Sequence, residues 1–167
     1  MIRLPVQGKL SSSQQRQMGF MNQQQMSQAI DDMFAAYSNG NLDGFVSACA
    51  EDMHYQDTGG GPPLKGRDAF RNYAAGWFEA CSDGVLSPQR KILGDDEAAL
   101  EMRFTATHDR GPLYGVAPTG NAFVLEFAIT LRFRNDQIIE LKAWYSPLPP
   151  MQAVGLIENL PVRPAPS

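Results

Sequence analysis

A run of strict alternation in the second half of the chain constrains its fold most. Phe123, Leu125, Phe127, Ile129, Leu131 and Phe133 alternate with Val124, Glu126, Ala128, Thr130, Arg132 and Arg134. A helix would scatter that apolar set around its axis, whereas a strand places all of it on one face. Asn135-Asp136 follows as a two-residue hairpin turn, and Ile139, Leu141, Ala143 and Tyr145 resume the alternation on a return strand that ends at residues 147–150. Upstream, Leu100, Met102, Phe104 and Ala106 alternate with Glu101, Arg103, Thr105 and Thr107. A strand over 89–93 precedes them across a turn at Asp95-Asp96, and residues 53–57 form an earlier strand.

Before these strands the period is helical. Met26, Ile30, Met33, Phe34 and Tyr37 share one helix face, and Asn39-Gly40 ends that helix. Asn41 caps a short second helix carrying Leu42, Phe45, Val46 and Cys49. Residues 67–81 form a third, with Phe70, Tyr73, Ala74, Trp77, Phe78 and Cys81 on one face. Helices first and antiparallel strands after predict an α+β domain, its three N-terminal helices covering the apolar face of a curved sheet. The outer face mixes Val124, Ala128 and Thr130 with the charged Glu101, Arg103 and Glu126, which suits either solvent or a dimer partner.

The chain has 167 residues, enough for one domain, expected over 26–158. Residues 1–25, rich in Gln, Ser and Met, are expected to be a flexible arm, and 159–167 a flexible tail. A net charge of −4 with scattered Lys and Arg argues against nucleic acid. No apolar run approaches the roughly 20 residues of a membrane span. Lack of an apolar leader region and two unpaired cysteines, Cys49 and Cys81, point to a reducing, cytoplasmic setting. His54 and His108 are the only histidines and lie far apart, so no metal site is expected. The glycine-rich loop 58–66 lacks a following Gly-Lys-Ser/Thr, and no dinucleotide fingerprint is present, so no cofactor is expected.

Three stretches carry a family resemblance. They are Tyr55-Gln56-Asp57-Thr58-Gly59-Gly60 with Pro63-Leu64-Lys65-Gly66-Arg67-Asp68-Ala69, the string from Thr107-His108-Asp109-Arg110 to Pro118-Thr119-Gly120, and Arg132-Phe133-Arg134-Asn135-Asp136-Gln137-Ile138-Ile139-Glu140. Their order and spacing over about 26–158 resemble the SnoaL-like polyketide cyclases of the nuclear-transport-factor-like superfamily. The resemblance implies a cone of helices wrapped by a strongly bent mixed sheet, often paired as a homodimer through the outer sheet face. It also implies a cofactor-independent cyclase, isomerase, hydratase or lyase acting on a hydrophobic carbonyl or polyketide-like molecule. The superfamily also holds non-enzymatic binders, so fold leaves the function open. The acid/base Asp of the cyclases falls on Ala143, and their pocket His on Ile129; neither side chain moves a proton.

Strand parity shows what else points inward. Met102, Phe104, Leu125, Phe127, Ile129, Leu141 and Ala143 are the expected walls, with Trp77 from the third helix. Tyr55, Asp57, His108 and Tyr145 continue the inward parity and are expected at the pocket mouth. There Asp57 would shuttle a proton, a tyrosine would donate to a developing oxyanion, and His108 would orient Asp57 or share its proton. Structural roles compete with these. Asp57 precedes a glycine-rich turn whose N–H groups need acceptors, His108 begins a long loop that needs fastening, and the tyrosines are also core aromatics.

Overall fold

The computed structural model describes residues 21–158. Helix α1 spans Gln23–Ser38, α2 Leu42–Ser47, α3 Arg67–Ala80 and α4 Leu148–Ala153. The strands are β1 (Cys49–Asp57), β2 (Leu64–Lys65), β3 (Val85–Leu93), β4 (Glu97–Thr107), β5 (Ala122–Arg134) and β6 (Gln137–Trp144). They form one sheet in the order β2-β1-β6-β5-β4-β3. All neighbours run antiparallel except β1 and β6, which are parallel, so the sheet is mixed. Register shifts in three of the pairings bend it. The architecture is the expected α+β cone.

Local chemistry explains the boundaries. Asn22 accepts from the Gln25 N–H, and the Gln25 side chain accepts from the Asn22 N–H, which closes a capping box on α1. That helix therefore begins inside the stretch expected to be an arm, because Asn22 and Gln25 satisfy the amides a flexible segment would leave to water. The rest of the arm, 1–20, and the tail, 159–167, lie outside the described residues. Asn41 caps α2 through the Gly44 N–H, as the sequence predicts. Asn135 and Asp136 both adopt positive φ, 49° and 63°, the geometry of a two-residue hairpin.

Five expectations need correction. The second helix stops at Ser47, and Cys49, expected on it, opens β1. The third helix stops at Ala80, and Cys81 is already extended. The strand expected over 89–93 starts four residues earlier, at Val85, because Val85–Pro88 also pairs along β4, ahead of a register shift that skips Gln89. The segment after β6 is not only a strand stop: Pro at the first turn lets it wind into α4. Ile138, not Ile139, is buried, since the β5–β6 register shifts between Arg132 and Phe133 and Ile139 falls in the bulge. A bulge inverts parity locally, which strict alternation cannot foresee.

The core lies between helices and sheet. Met26, Ile30 and Met33 of α1 are essentially inaccessible, as are Met53, Leu100, Met102, Leu131 and Ile138 of the strands. Each such side chain contributes roughly 1.5–3 kcal/mol by leaving water. Lys91 of β3 fastens α1 from its side, with Nζ 2.6 Å from Asp31 and 2.7 Å from the Ser27 hydroxyl.

Candidate functional site

Packing between the helices and the sheet leaves an apolar cavity of about 100 Å³. Phe104, Phe127, Ile129, Leu141 and Ala143 line it from the sheet, as strand parity predicts, with Trp77 of α3 opposite. Phe34, Tyr37, Phe45 and Phe70 complete it from the helices. Met102 and Leu125 are corrections: both face inward and are buried, yet neither lines the cavity. Parity assigns a face, not a depth, and these two are enclosed by the core around them.

The strands bring polar groups to one end of this cavity. Asp57 ends β1 and pairs in parallel register with Ala143 of β6, which itself pairs with Ile129 of β5. Asp57 therefore stands one strand over from Ala143. The loop after it is stapled to β6, with Thr58 N–H on the Ala143 carbonyl at 3.0 Å and Tyr145 N–H on Thr58 Oγ1 at 2.9 Å. This staple carries Tyr145 over Gly59. A Cβ on Gly59 would sit 2.2 Å from the Tyr145 hydroxyl, so only glycine allows that close approach.

Asp57 accepts three hydrogen bonds. The phenols of Tyr55 and Tyr73 donate to its Oδ2 at 3.1 and 3.0 Å, and the Gly59 N–H donates to Oδ1 at 2.8 Å. The Gly59 N–H bond gives Asp57 the turn-anchoring role that competes with the catalytic one. Asp57 lines an outer vestibule of about 330 Å³, together with Gly59, Gly61 and Gly76 and the residues Pro112, Leu113 and Tyr114. Tyr73, Trp77 and Tyr145 line both spaces and form the neck between them. Tyr55 lines the inner cavity only.

Sequence reasoning missed Tyr73 and Tyr114 as site residues. Tyr73 sits among apolar residues on the inner face of α3, where its hydroxyl escaped notice; its spacing of four from Trp77 was the available signal. Tyr114 belongs to a tight turn with Gly115, both at positive φ, closed by reciprocal hydrogen bonds between Leu113 and Val116. Nothing local in the sequence says where such a loop folds back.

His108 is the principal correction. It has no exposed surface, and it lines neither the cavity nor the vestibule. Nε2 donates to the Gly111 carbonyl at 2.9 Å, and Nδ1 lies 3.2 Å from Thr119 Oγ1. With Nε2 as donor, Nδ1 is an acceptor, and the one Thr119 hydroxyl proton is shared between it and the Ala153 carbonyl at 3.4 Å. The imidazole therefore fastens loop 108–121 from within and does not reach Asp57. Inward parity continued to His108, but the chain turned to pair with Cys81 at that point.

All five tyrosines of the chain hold their protons strongly. Burial is the first cause at each; at Tyr55, Tyr73, Tyr114 and Tyr145 the nearby Asp57 charge adds to it. Tyr114 is pushed up to about 12, and Tyr55 and Tyr145 go higher. These phenols are donors throughout the neutral range. Unfolded tyrosine ionises near pH 10, so above that pH the unfolded chain loses protons that the fold retains, and stability falls as pH rises. In an alkaline titration, phenolate absorbance is expected to stay flat past about pH 10 and then rise together with loss of circular dichroism. A smooth rise centred near pH 10 in the folded protein would contradict the hydrogen-bonded neck.

Among the described residues, no three His, Cys, Asp or Glu side chains group so as to hold a metal ion. No described helix is long and apolar enough to cross a membrane.

Fold and cavity together define a small α+β pocket protein of the nuclear-transport-factor-like kind. The chain belongs to the SnoaL-like domain family, whose model matches residues 30–141. No curated protein matches it in sequence. Among solved structures it is similar to AclR, a proposed hydroxylase from Streptomyces galilaeus. The TM-score is 0.75 at 22% identity, over 84% of this chain and 87% of that one. It is also similar to a proposed polyketide cyclase from Xanthomonas campestris pv. campestris, with TM-score 0.72 at 20% identity, over 81% and 100%. A proposed SnoaL-like polyketide cyclase from Jannaschia sp. CCS1 gives 0.71 at 17% identity, over 80% and 94%. These identities establish a shared fold, and fold alone leaves the reaction open.

Proposed function

We propose that this protein is a cofactor-independent enzyme that moves a proton on a hydrophobic carbonyl compound of polyketide-like character. One observation carries the reading: a carboxylate with three donors, one of them the neck residue Tyr73, lines the vestibule outside an apolar cavity. A carboxylate offers about four lone-pair directions, so three donors leave one for a substrate C–H. The apolar body of the substrate occupies the inner cavity. The Tyr145 hydroxyl, seated over Gly59, donates to the oxygen on which charge develops. Asp57 thereby does from β1 the work that the family resemblance assigns to the Ala143 position on β6. The reaction is an enolisation completed as cyclisation or isomerisation; in a hydration Asp57 instead takes the proton of the water that adds to a conjugated double bond, and the enol so formed is reprotonated at carbon. The test is exchange of α-protons in a panel of bicyclic aryl ketones in deuterium oxide, followed by NMR. Exchange above the buffer rate supports the reading, and its absence across a panel that binds refutes it.

A second reading is a non-catalytic binder of a hydrophobic small molecule. It is favoured by the inner cavity, whose lining contains no Asp, Glu or His. Binding without exchange is its signature in the same experiment.

A homodimer through the outer sheet face belongs to the proposal. Trp144 and Val124 stand on that face, 52% and 43% exposed, and Trp144 pairs across the strands with Ala128. Large exposed apolar groups on a sheet are commonly covered by a partner. Light scattering is expected to give a dimer for the wild type and a monomer for Trp144→Glu; a wild-type monomer at high concentration contradicts the interface.

A further inference from the structure

The vestibule has an unusual balance of chemistry. Four of its lining residues are aromatic: Tyr73, Trp77, Tyr114 and Tyr145. Asp57 is its one charged residue, and no Lys, Arg or His lines it. Aromatic rings attract cations through their quadrupoles, and a carboxylate beside them adds a full negative charge. An anionic group entering here would meet that charge with no counter-ion. We propose that the vestibule is a subsite for an alkylammonium group, the protonated or methylated amine of an amine-bearing small molecule.

The geometry suits such a guest. Trp77 and Tyr114 stand edge-to-face with ring centroids 6.3 Å apart, so the two rings present a corner instead of stacking on each other. The turn carrying Tyr114 is held by the Leu113–Val116 hydrogen bonds and, behind it, by His108. The corner is therefore preformed, and a ligand does not bear the cost of ordering it. Gly59, Gly61 and Gly76 keep the remaining wall low, and the space of about 330 Å³ is roomy for a small ammonium head. The open lone pair of Asp57 suits one N–H of a tertiary ammonium, while a quaternary head needs only the charge. This subsite rests on the composition of the vestibule and stands whether or not Asp57 moves a proton. A tertiary ammonium N–H and a substrate C–H would compete for the open lone pair of Asp57, whereas a quaternary head leaves it free, so the two roles are compatible for a quaternary guest.

The test compares choline with 3,3-dimethyl-1-butanol, which has the same shape without the charge, and with 3,3-dimethylbutanoate, which carries the opposite one. Binding is followed by NMR through the indole N–H signal of Trp77. Choline is expected to bind about tenfold more tightly than the alcohol, and the carboxylate not at all. Tyr114→Leu keeps an apolar side chain on the loop and removes the ring; choline affinity should fall at least about threefold with the alcohol unaffected. Asp57→Asn should weaken choline as well. Equal affinity for choline and the alcohol, undetectable choline binding, or choline binding indifferent to both variants would each overturn the proposal. Failure of ketone exchange leaves it standing, so the two readings fail separately.

Discussion

Asp57→Asn is expected to slow α-proton exchange of a bound ketone by about 100-fold or more, the scale on which a positioned acid or base contributes. The variant keeps the shape of the side chain and removes the proton acceptor. It also turns one carboxylate oxygen into an amide donor. Turned toward the phenols, which both donate to Oδ2, that amide leaves both without an acceptor; turned the other way it faces the Gly59 N–H, so at least one donor loses its partner, at a cost of about 1–3 kcal/mol. A thermal melt separates that cost from the loss of chemistry: the protein should still fold, with a lower midpoint. Tyr55→Phe and Tyr73→Phe each remove one donor from the same carboxylate and should have much smaller effects on exchange. An Asp57→Asn protein that exchanges at the wild-type rate would sink the acid/base reading and leave the binder.

The position of this carboxylate fits an inner face that is apolar at Ala143. In a parallel pair, registered residues point to the same side of the sheet, so Asp57 and Ala143 are neighbours on the inner face. Ala143 and Ile129 line the apolar cavity, and the charge of Asp57 lies in the vestibule outside it. A ligand thus meets polar groups at one end only, which orients it. The arrangement also keeps the charge out of the driest part of the protein, where an isolated carboxylate would be costly.

The sequence made some of this legible for clear physical reasons. Period-two patterning sets strand faces, so Phe104, Phe127, Ile129, Leu141 and Ala143 were readable as walls, and Tyr55 and Asp57 as neighbours on one inward row. Capping chemistry is local, so Asn41 and the Asn135-Asp136 turn were readable as well. What failed was not local. The bulge that buries Ile138 depends on the register with β5. Met102 and Leu125 differ from Phe127 only in what packs above them. Tyr114 reaches the site through the path of a loop, which has no signature in the residues themselves, whereas the spacing of four between Tyr73 and Trp77 on α3 was a signal in the sequence. His108 obeyed parity up to the point where its strand ended and the loop began.

His108→Ala is expected to lower stability by about 3 kcal/mol while leaving ketone exchange within about tenfold of wild type. The side chain is fully enclosed, so its removal leaves a void, and the Gly111 carbonyl and Thr119 hydroxyl lose their partner. Thr119 holds a second contact, to the Ala153 carbonyl at 3.4 Å, and Asn121 reaches the same carbonyl at 2.8 Å, so the loop stays tethered to α4. For a chain of this size, 3 kcal/mol corresponds to a fall in Tm of roughly 6–12 °C. The His108 carbonyl accepts from the Thr119 and Gly120 amides, so these two amides should lose protection from hydrogen exchange before the strands do. Tyr114 rides on the same loop, so choline affinity should drop with the loosened turn even though His108 touches no ligand. An unchanged melting point would refute the fastening role. Loss of exchange as deep as that of Asp57→Asn, in a protein still folded at the assay temperature, would return the imidazole to the proton pathway.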